Sequence, residues 1–321
     1  MKFTSIPKSG SSWNNSLPFS FDTEGDEPQD LTIEILSNKD TIAQRKLYGV
    51  VAGTIDIAPY LKHFSWIPPT ITQNPSIETS PSAQHIRVVI DGVSSSAVKL
   101  FHSPFDLYTS QLLGSTSSRR AILRGSPILL TILATNTIQL NIKYITATLT
   151  TTTTHSVKSM GMPMDVVVPT ASLDDSVVAI ALELISGTTV LAQVRYNILE
   201  PSATSKQLMW YNSSGGIETY PFMQSIRTSY CAKVVGEGSA NTTLPAELSE
   251  ASVHYRLCSA HESPEEIERL SQMVFSPRIF LMSGETVTPV TLDTREVIFD
   301  SHGTLRQLCV EITEPWKGGV R

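Results

Sequence analysis

Residues 177–198 read VVAIALELISGTTVLAQVRYNI, and this stretch decides the fold class. An apolar run extends from Val177 to Ile185, Ser186 and Gly187 follow, and a second run rich in β-branched residues extends from Val190 to Ile198. Two such runs joined by a short glycine-containing segment are typical of a β-hairpin. The stretch therefore predicts an antiparallel pair of strands.

The segment before this hairpin also predicts strands. Residues 128–133 are continuously apolar, which indicates a strand, and the apolar residues at 138, 140, 142 and 144 alternate with polar ones. Residues 146–154 are nearly all threonine, which is β-branched but polar. We interpret this threonine run as an exposed edge strand or a hairpin tip.

The N-terminal region has the same character. Leu31, Ile33 and Ile35 alternate with polar residues, and a β-branched run over 86–90 ends at the turn dipeptide Asp91-Gly92. The Pro-, Ser- and Thr-rich stretch from Pro68 to Pro81 is typical of a long loop. We predict one small β-sandwich in this region.

One helix is predicted, close to the C-terminus. Ser263 is a helix N-cap, Pro264 occupies the first helical position, and Glu266 completes a capping box. Ile267, Leu270 and Val274 then fall on one face, and Pro277 ends the helix, so its range is about 264–275. The adjacent carboxylates Glu265 and Glu266 are explained by the helix dipole. Strands and short turns predict a β-meander after it.

These patterns predict a mainly β protein with two or three β-sandwich-like domains in series. The predicted domains are an N-terminal β-sandwich (1–115), a middle β domain (116–201) and a C-terminal β domain with the one helix (202–321), with a linker over 114–118.

Composition restricts the function. The 321 residues carry a net charge of −6, which argues against a nucleic-acid partner, and we expect Arg119, Arg120 and Arg124 to lie in a solvated loop. No apolar run approaches the roughly 18 residues of a membrane span, and no signal peptide is evident, so we predict no membrane insertion. We expect Cys231, Cys258 and Cys309 to be buried, reduced thiols.

The usual signatures of catalysis and metal binding are missing from the sequence. There is no G-x-S-x-G elbow, P-loop or H-E-x-x-H motif, and the seven histidines have no ligand spacing. The acidic stretch Asp22–Glu27 favours a solvated turn over a calcium loop, because it lacks the full set of EF-hand ligands. We therefore predict no enzymatic activity, no cofactor and no metal.

An aromatic group is the candidate site, and two interpretations of it stay open. Trp210, Tyr211, Tyr220 and Phe222 flank an Asn/Gly-rich segment over 212–216. Exposed rings would form an interaction surface for sugars or a partner protein. We favour a hairpin in which the rings pack inward.

This segment also carries a family resemblance. Residues 206–222, KQLMWYNSSGGIETYPF, fit the pattern W-x-N-x-x-G-G-x-x-x-[YF]-x-F and resemble a segment that opens the last domain of tail proteins of Bacteroidetes phages and prophages. The helix over 265–275 with the segments SPRIFL (276–281) and TPVTL (288–292) is similar to that family as well. GTIDIAPYL (53–61) resembles the family stretch x-I-D-[LI]-S-x-[YL]-L. The likeness is clearest over 206–312, and the middle domain carries no motif of the family.

The resemblance implies a structural protein of the phage tail or baseplate, made in the host bacterial cytoplasm and located in the virion. Its partners would be copies of itself, in a homo-oligomer, and other virion proteins. The alternative is an adhesin or carbohydrate-binding receptor-recognition protein that contacts a host surface glycan. We expect three segments to become ordered on assembly, namely 68–81, 146–154 and 314–321.

Overall fold

The computed structural model describes residues 1–12, 16–38, 40–61, 67–81, 83–101, 109–114, 119–159, 161–234, 248–294, 299–302 and 304–315. The prediction of a mainly β protein is confirmed, with about 60% of the chain in strands and about 6% in helices. No helix in these ranges has the length and apolar character needed to cross a bilayer.

The elements follow the chain in three groups. The first comprises β1 (Lys2–Ser5), β2 (Ser11–Ser12), β3 (Pro18–Asp22), β4 (Gln29–Ser37), β5 (Asp40–Val50), β6 (Ala52–Asp56), the helical turn α1 (Ala58–Leu61), β7 (Ser76–Thr79), β8 (Ala83–Ile90), β9 (Val93–Ser94), β10 (Val98–Phe101) and β11 (Gln111–Leu112). The second comprises β12 (Arg119–Leu123), β13 (Ile128–Leu133), β14 (Ile138–Ile145), β15 (Thr150–Val157), β16 (Pro163–Val168), β17 (Ala179–Ser186) and β18 (Thr189–Leu199). The third comprises β19 (Lys206–Tyr211), β20 (Ile217–Phe222), β21 (Gln224–Val234), β22 (Leu248–Cys258), α2 (Pro264–Ser271), a 3-10 turn (Gln272–Phe275), β23 (Ile279–Ser283), β24 (Thr286–Leu292), β25 (Phe299–His302) and β26 (Leu305–Pro315).

These strands form five sheets. Sheet 1 has the order β1-β3-β6, and sheet 2 has the order β2-β10-β8-β4-β5, with β9 paired to β8. Sheet 3 has the order β11-β13-β16-β7, and sheet 4 has the order β12-β18-β17-β14-β15. Sheet 5 has the order β20-β19-β23-β24-β26-β22-β21, with β25 paired to β26.

Each pair of layers encloses an apolar core. Sheets 1 and 2 with α1 enclose one core, sheets 3 and 4 enclose a second, and sheet 5 packs on α2 around a third. A fourth cluster lies where Leu129 and Val167 of sheet 3 meet Met209, Tyr211 and Phe280 of sheet 5. Sheet 3 is therefore covered on both faces, which explains why every residue of β13 and of β16 is buried.

Several predicted elements are confirmed. The hairpin over 177–198 is β17 and β18, paired antiparallel with Ser186 opposite Thr189. The threonine run forms β15 at the edge of sheet 4, with Thr150–Thr154 exposed. The helix starts at Pro264, where Ser263 accepts a hydrogen bond from the Glu266 N–H, and the 3-10 turn continues it to Phe275.

Other expectations need correction. The stretch predicted as a loop over 68–81 contains β7, which pairs with β16, so the sheets do not divide at residue 115. Segment 146–154 is the tip of the β14–β15 hairpin and the start of β15, and its ordering on assembly stays a prediction. Residues 115–118 of the predicted linker and 316–321 of the C-terminal segment lie outside the described ranges.

The expectation of three buried, reduced cysteines is wrong. Cys258 and Cys309 form a disulfide, because the register of β22 and β26 places them directly opposite each other with Cα atoms 4.0 Å apart. Cys231 is free and exposed on β21. The spacing of the three cysteines in the sequence did not indicate this pairing.

Candidate functional site

The aromatic hairpin β19–β20 lies in the interior. Trp210, Tyr211, Tyr220 and Phe222 are each at most 4% exposed. One face of the hairpin packs on α2 and β26, and the other packs on sheet 3. The prediction of an interaction surface made of these rings is therefore wrong for this chain, since a covered ring cannot stack on a ligand. The inward-packed hairpin is the arrangement observed.

Each aromatic residue has a specific partner. The Trp210 ring lies 5.5 Å from the Arg269 guanidinium, and the Tyr211 hydroxyl donates to the Ile67 carbonyl at 2.7 Å. The Tyr220 hydroxyl donates to Glu262 at 2.7 Å and packs edge-on against Phe222. Burial, together with the nearby Glu262 carboxylate, raises the pKa of Tyr220 far above its ordinary value. These contacts fix the hairpin against three parts of the chain.

The turn between β19 and β20 is held by the side chain of Asn212. Its Oδ1 accepts hydrogen bonds from the N–H groups of Ser214 and Gly216, both at 2.9 Å. Its Nδ2 donates to the Leu113 carbonyl at 2.9 Å and to Glu218 at 3.3 Å. This one amide therefore closes the turn and also attaches it to the segment that precedes β12.

A buried ionic cluster lies next to this turn. Oε2 of Glu218, which has no exposed surface, is 2.9 Å from Nη1 of Arg120 and 2.8 Å from Nη1 of Arg269. Arg269 also pairs with Glu266 one helical turn away. The four formal charges balance, which is the condition under which buried charges are tolerated. We name these four residues, Arg120, Glu218, Glu266 and Arg269, the ionic junction.

The ionic junction connects three elements that are distant in sequence. Arg120 belongs to β12 of sheet 4, Glu218 to β20 of sheet 5, and Arg269 to α2. Burial alone would lower the pKa of Arg269, but hydrogen bonds and charge attraction from Glu266 and Glu218 raise it above its ordinary value. The expectation of a solvated loop at Arg120 is wrong, because that residue is 3% exposed.

A second buried carboxyl lies between the hairpin and sheet 3. Asp165 on β16 accepts a hydrogen bond from the Thr131 hydroxyl at 2.6 Å, and the same hydroxyl oxygen accepts from the Ile217 N–H of β20 at 3.1 Å. Burial raises the pKa of Asp165 to about 6, although hydrogen bonds from Thr131 and Ser80 oppose the shift. An ionised Asp165 is therefore a cost to the folded state.

We expect Asp165→Asn to stabilise the protein in a pH-dependent way. The folded-state pKa lies above the ordinary value of 3.8, so stability falls as the pH rises through the interval from 3.8 to about 6. At pH 8 the variant should gain about 2–3 kcal/mol, since each pKa unit corresponds to about 1.4 kcal/mol. Below pH 3.5 the gain should disappear.

Urea unfolding at pH 3.5, 5, 6 and 8 measures this effect. The exposed Asp175 provides the matched control, since Asp175→Asn should change stability by less than about 0.5 kcal/mol at every pH. A gain for Asp165→Asn that is independent of pH would contradict the titration and point to packing instead.

The solvent face of sheet 5 carries a polar groove of about 270 Å³. It is lined by residues of β21, β22, β26 and the segment after β24, namely Arg227, Ser229, Cys231, His254, Tyr255, Arg256, Asp293 and Glu311.

Within the described ranges, no three His, Cys, Asp or Glu side chains come together as a metal site. In the acidic stretch Asp22–Glu27, Glu24 instead contacts the amino group of Met1.

No model of a known protein family matches this chain, and no curated protein matches its sequence. The fold and the contacts of the motif residues are therefore the basis for a functional proposal. The ionic junction and Asp165 were not predicted, because each depends on partners that are 34 to 98 residues away in the sequence.

Proposed function

We propose that this chain is a structural protein of a bacteriophage virion, in the tail or baseplate, and that it acts by assembling with other protein subunits. The observation that carries the proposal is the edge strand β15. Among the described strands it pairs only with β14, and five consecutive threonines on it are exposed. The outer N–H and C=O groups of such a strand are a template for a strand from another subunit.

The contacts of the resemblance motif support a framework role. Trp210, Asn212, Gly216, Tyr220 and Phe222 are all buried. The three rings pack between sheet 5 and α2, and Asn212 and Gly216 lie against Leu113 in the segment before β12. Residues that attach one layer to another make the fold rigid, and a rigid subunit can hold its neighbours in defined positions in an assembly. The motif therefore serves packing, in agreement with a particle component.

A purified sample tests the proposal. We expect the chain to form oligomers at micromolar concentration and to co-sediment with tail particles when the encoding phage or prophage is induced. Size-exclusion chromatography with light scattering and negative-stain microscopy measure the first property. A monomer at high concentration that is also absent from tail fractions would contradict the proposal.

Charge on the β15 edge should weaken assembly. Thr150→Lys with Thr151→Lys places two cations on the outer strand, and we expect self-association to weaken by roughly tenfold or more, because like charges then face each other across the pairing. The matched control is Thr188→Lys with Thr189→Lys, two exposed threonines at the β17–β18 turn of the same sheet. Equal assembly of the two variants would exclude the β15 edge as the contact.

The residues that suggested the adhesin alternative are not accessible to a sugar. The four rings proposed as a sugar platform are buried. A role in glycan recognition then requires a different surface of the molecule.

A further inference from the structure

The groove on sheet 5 is built from rows of side chains on three adjacent strands. The register places Arg227, Arg256 and Glu311 in one row across β21, β22 and β26, and Ser229, His254 and Thr313 in the next. Residues two apart on a strand share a face, so both rows point to the same side of the sheet. That side is the one opposite the apolar core, because Leu257, Val310 and Ile312 occupy the other.

Arg227 and Arg256 place two positive charges opposite each other on neighbouring strands. The two residues are direct cross-strand partners, and both are exposed. Within the described residues neither guanidinium forms an ion pair, although Glu311 is the register partner of Arg256 on the far side. Like charges directly opposite each other destabilise a sheet, and an anion bound between them removes that cost.

The second row supplies a fixed polar floor. Thr313 donates its hydroxyl proton to Asp293, so its oxygen is the acceptor for Nδ1–H of His254 at 2.8 Å. Nε2 of His254 forms a second hydrogen bond, with the Ser252 hydroxyl at 3.0 Å. This chain of hydrogen bonds holds the ring in one orientation, and a preorganised floor favours a defined ligand.

The charges of the groove restrict the ligand class. The carboxylates of Asp293 and Glu311 both lie on the β26 side of the two arginines, so a polyanion such as a nucleic-acid backbone that extended across the groove would meet repulsion there. Carboxylates are good acceptors for hydroxyl groups, and arginines are good donors to a single anionic group. A volume of about 270 Å³ suits a small ligand or one or two rings of a longer one.

We propose that this groove binds an acidic saccharide, with its carboxylate held between Arg227 and Arg256 and its hydroxyls bound by Glu311 and Asp293. The site goes beyond the assembly role and does not depend on it. It gives the chain a place to contact an acidic surface glycan, on residues distinct from the buried aromatic hairpin.

Calorimetric titration with 3′-sialyllactose, a hyaluronan tetrasaccharide and lactose tests the site. We expect at least one acidic saccharide to bind, and lactose to bind at least about tenfold more weakly. The double variant Arg227→Met with Arg256→Met should bind the acidic saccharide at least about tenfold more weakly than the unaltered protein. The exposed Arg87 on β8 is the control, since Arg87→Met should leave the affinity unchanged.

NMR titration of the unaltered protein locates the binding site without relying on the variants. Amide chemical shifts of Ser229, His254 and Arg256 should move on titration with the acidic saccharide. The proposal is overturned if neither acidic saccharide binds, if the arginine variants bind as tightly as the unaltered protein, or if the shifts occur elsewhere. Binding of a hexaglutamate peptide in preference to both saccharides would also overturn it, because the groove would then recognise acidic protein segments.

Discussion

Replacing Glu218 with alanine is expected to lower the free energy of unfolding by about 3–5 kcal/mol, the usual cost of removing one partner from a buried ion pair. The carboxylate of Glu218 neutralises both Arg120 and Arg269, and all three side chains are at most 2% exposed. Without it, Arg269 keeps Glu266 as a partner, but the buried guanidinium of Arg120 loses the carboxylate that neutralises it. The loss should appear as a lower urea midpoint and a lower Tm.

The same substitution at an exposed ion pair provides the control. Glu200 bonds to Arg124 at 2.5 Å, but its side chain is 71% exposed. Glu200→Ala should therefore cost less than about 1 kcal/mol, because exposed pairs contribute little. If Glu218→Ala and Glu200→Ala cost the same, the ionic junction would not be desolvated as described.

Gly216→Ala is expected to have a comparable effect for a steric reason. A Cβ at this position would lie 1.5 Å from the carbonyl oxygen of Leu113 and 2.5 Å from its carbonyl carbon. Both atoms belong to the backbone, so no side-chain rotation relieves the clash. Either the turn or the segment 109–114 must move, and we expect a loss of about 3 kcal/mol or more, at the upper end for overpacking.

Unfolding in urea measures this loss, and hydrogen exchange locates it. The Leu113 N–H donates to the Thr131 carbonyl at 2.9 Å, so its exchange should accelerate in Gly216→Ala if the segment detaches. Gly25→Ala is the matched control, because nothing lies within 4 Å of a Cβ there and neither glycine has a positive φ. A Gly216→Ala variant as stable as Gly25→Ala would show that Leu113 does not press against the turn.

The structure gives a physical reason for each of the four specified residues in the W-x-N-x-x-G-G pattern. Trp210 stacks on Arg269, Asn212 closes the turn, Gly215 has a positive φ of 76°, and Gly216 leaves room for Leu113. These requirements concern the turn itself and its attachment to α2 and to the segment before β12. A pattern set by packing is compatible with different binding functions, which is why the proposed saccharide groove uses none of these residues.

The sequence by itself determined the elements whose stability is local. The hairpin over 177–198, the alternating strand β14, the threonine-rich edge strand and the capped helix α2 all follow from side-chain period, turn residues and the Ser263 cap. In each of them the decisive residues lie within a few positions of one another. Local sequence is sufficient where one face is apolar and the ends carry their own signals.

Only the tertiary structure decided which residues far apart in the sequence pair with one another. Ser76–Thr79 becomes a strand because β16 offers a free edge, Cys258 meets Cys309 because of strand register, and Arg120 is buried because Glu218 lies 98 residues further on. The stretch around Arg120 shows no sign of burial by itself, since a charge can enter an interior only when its counter-charge arrives from elsewhere. Strand pairing and charge neutralisation require distant segments of the chain to come together, and no local sequence pattern indicates which segments will do so.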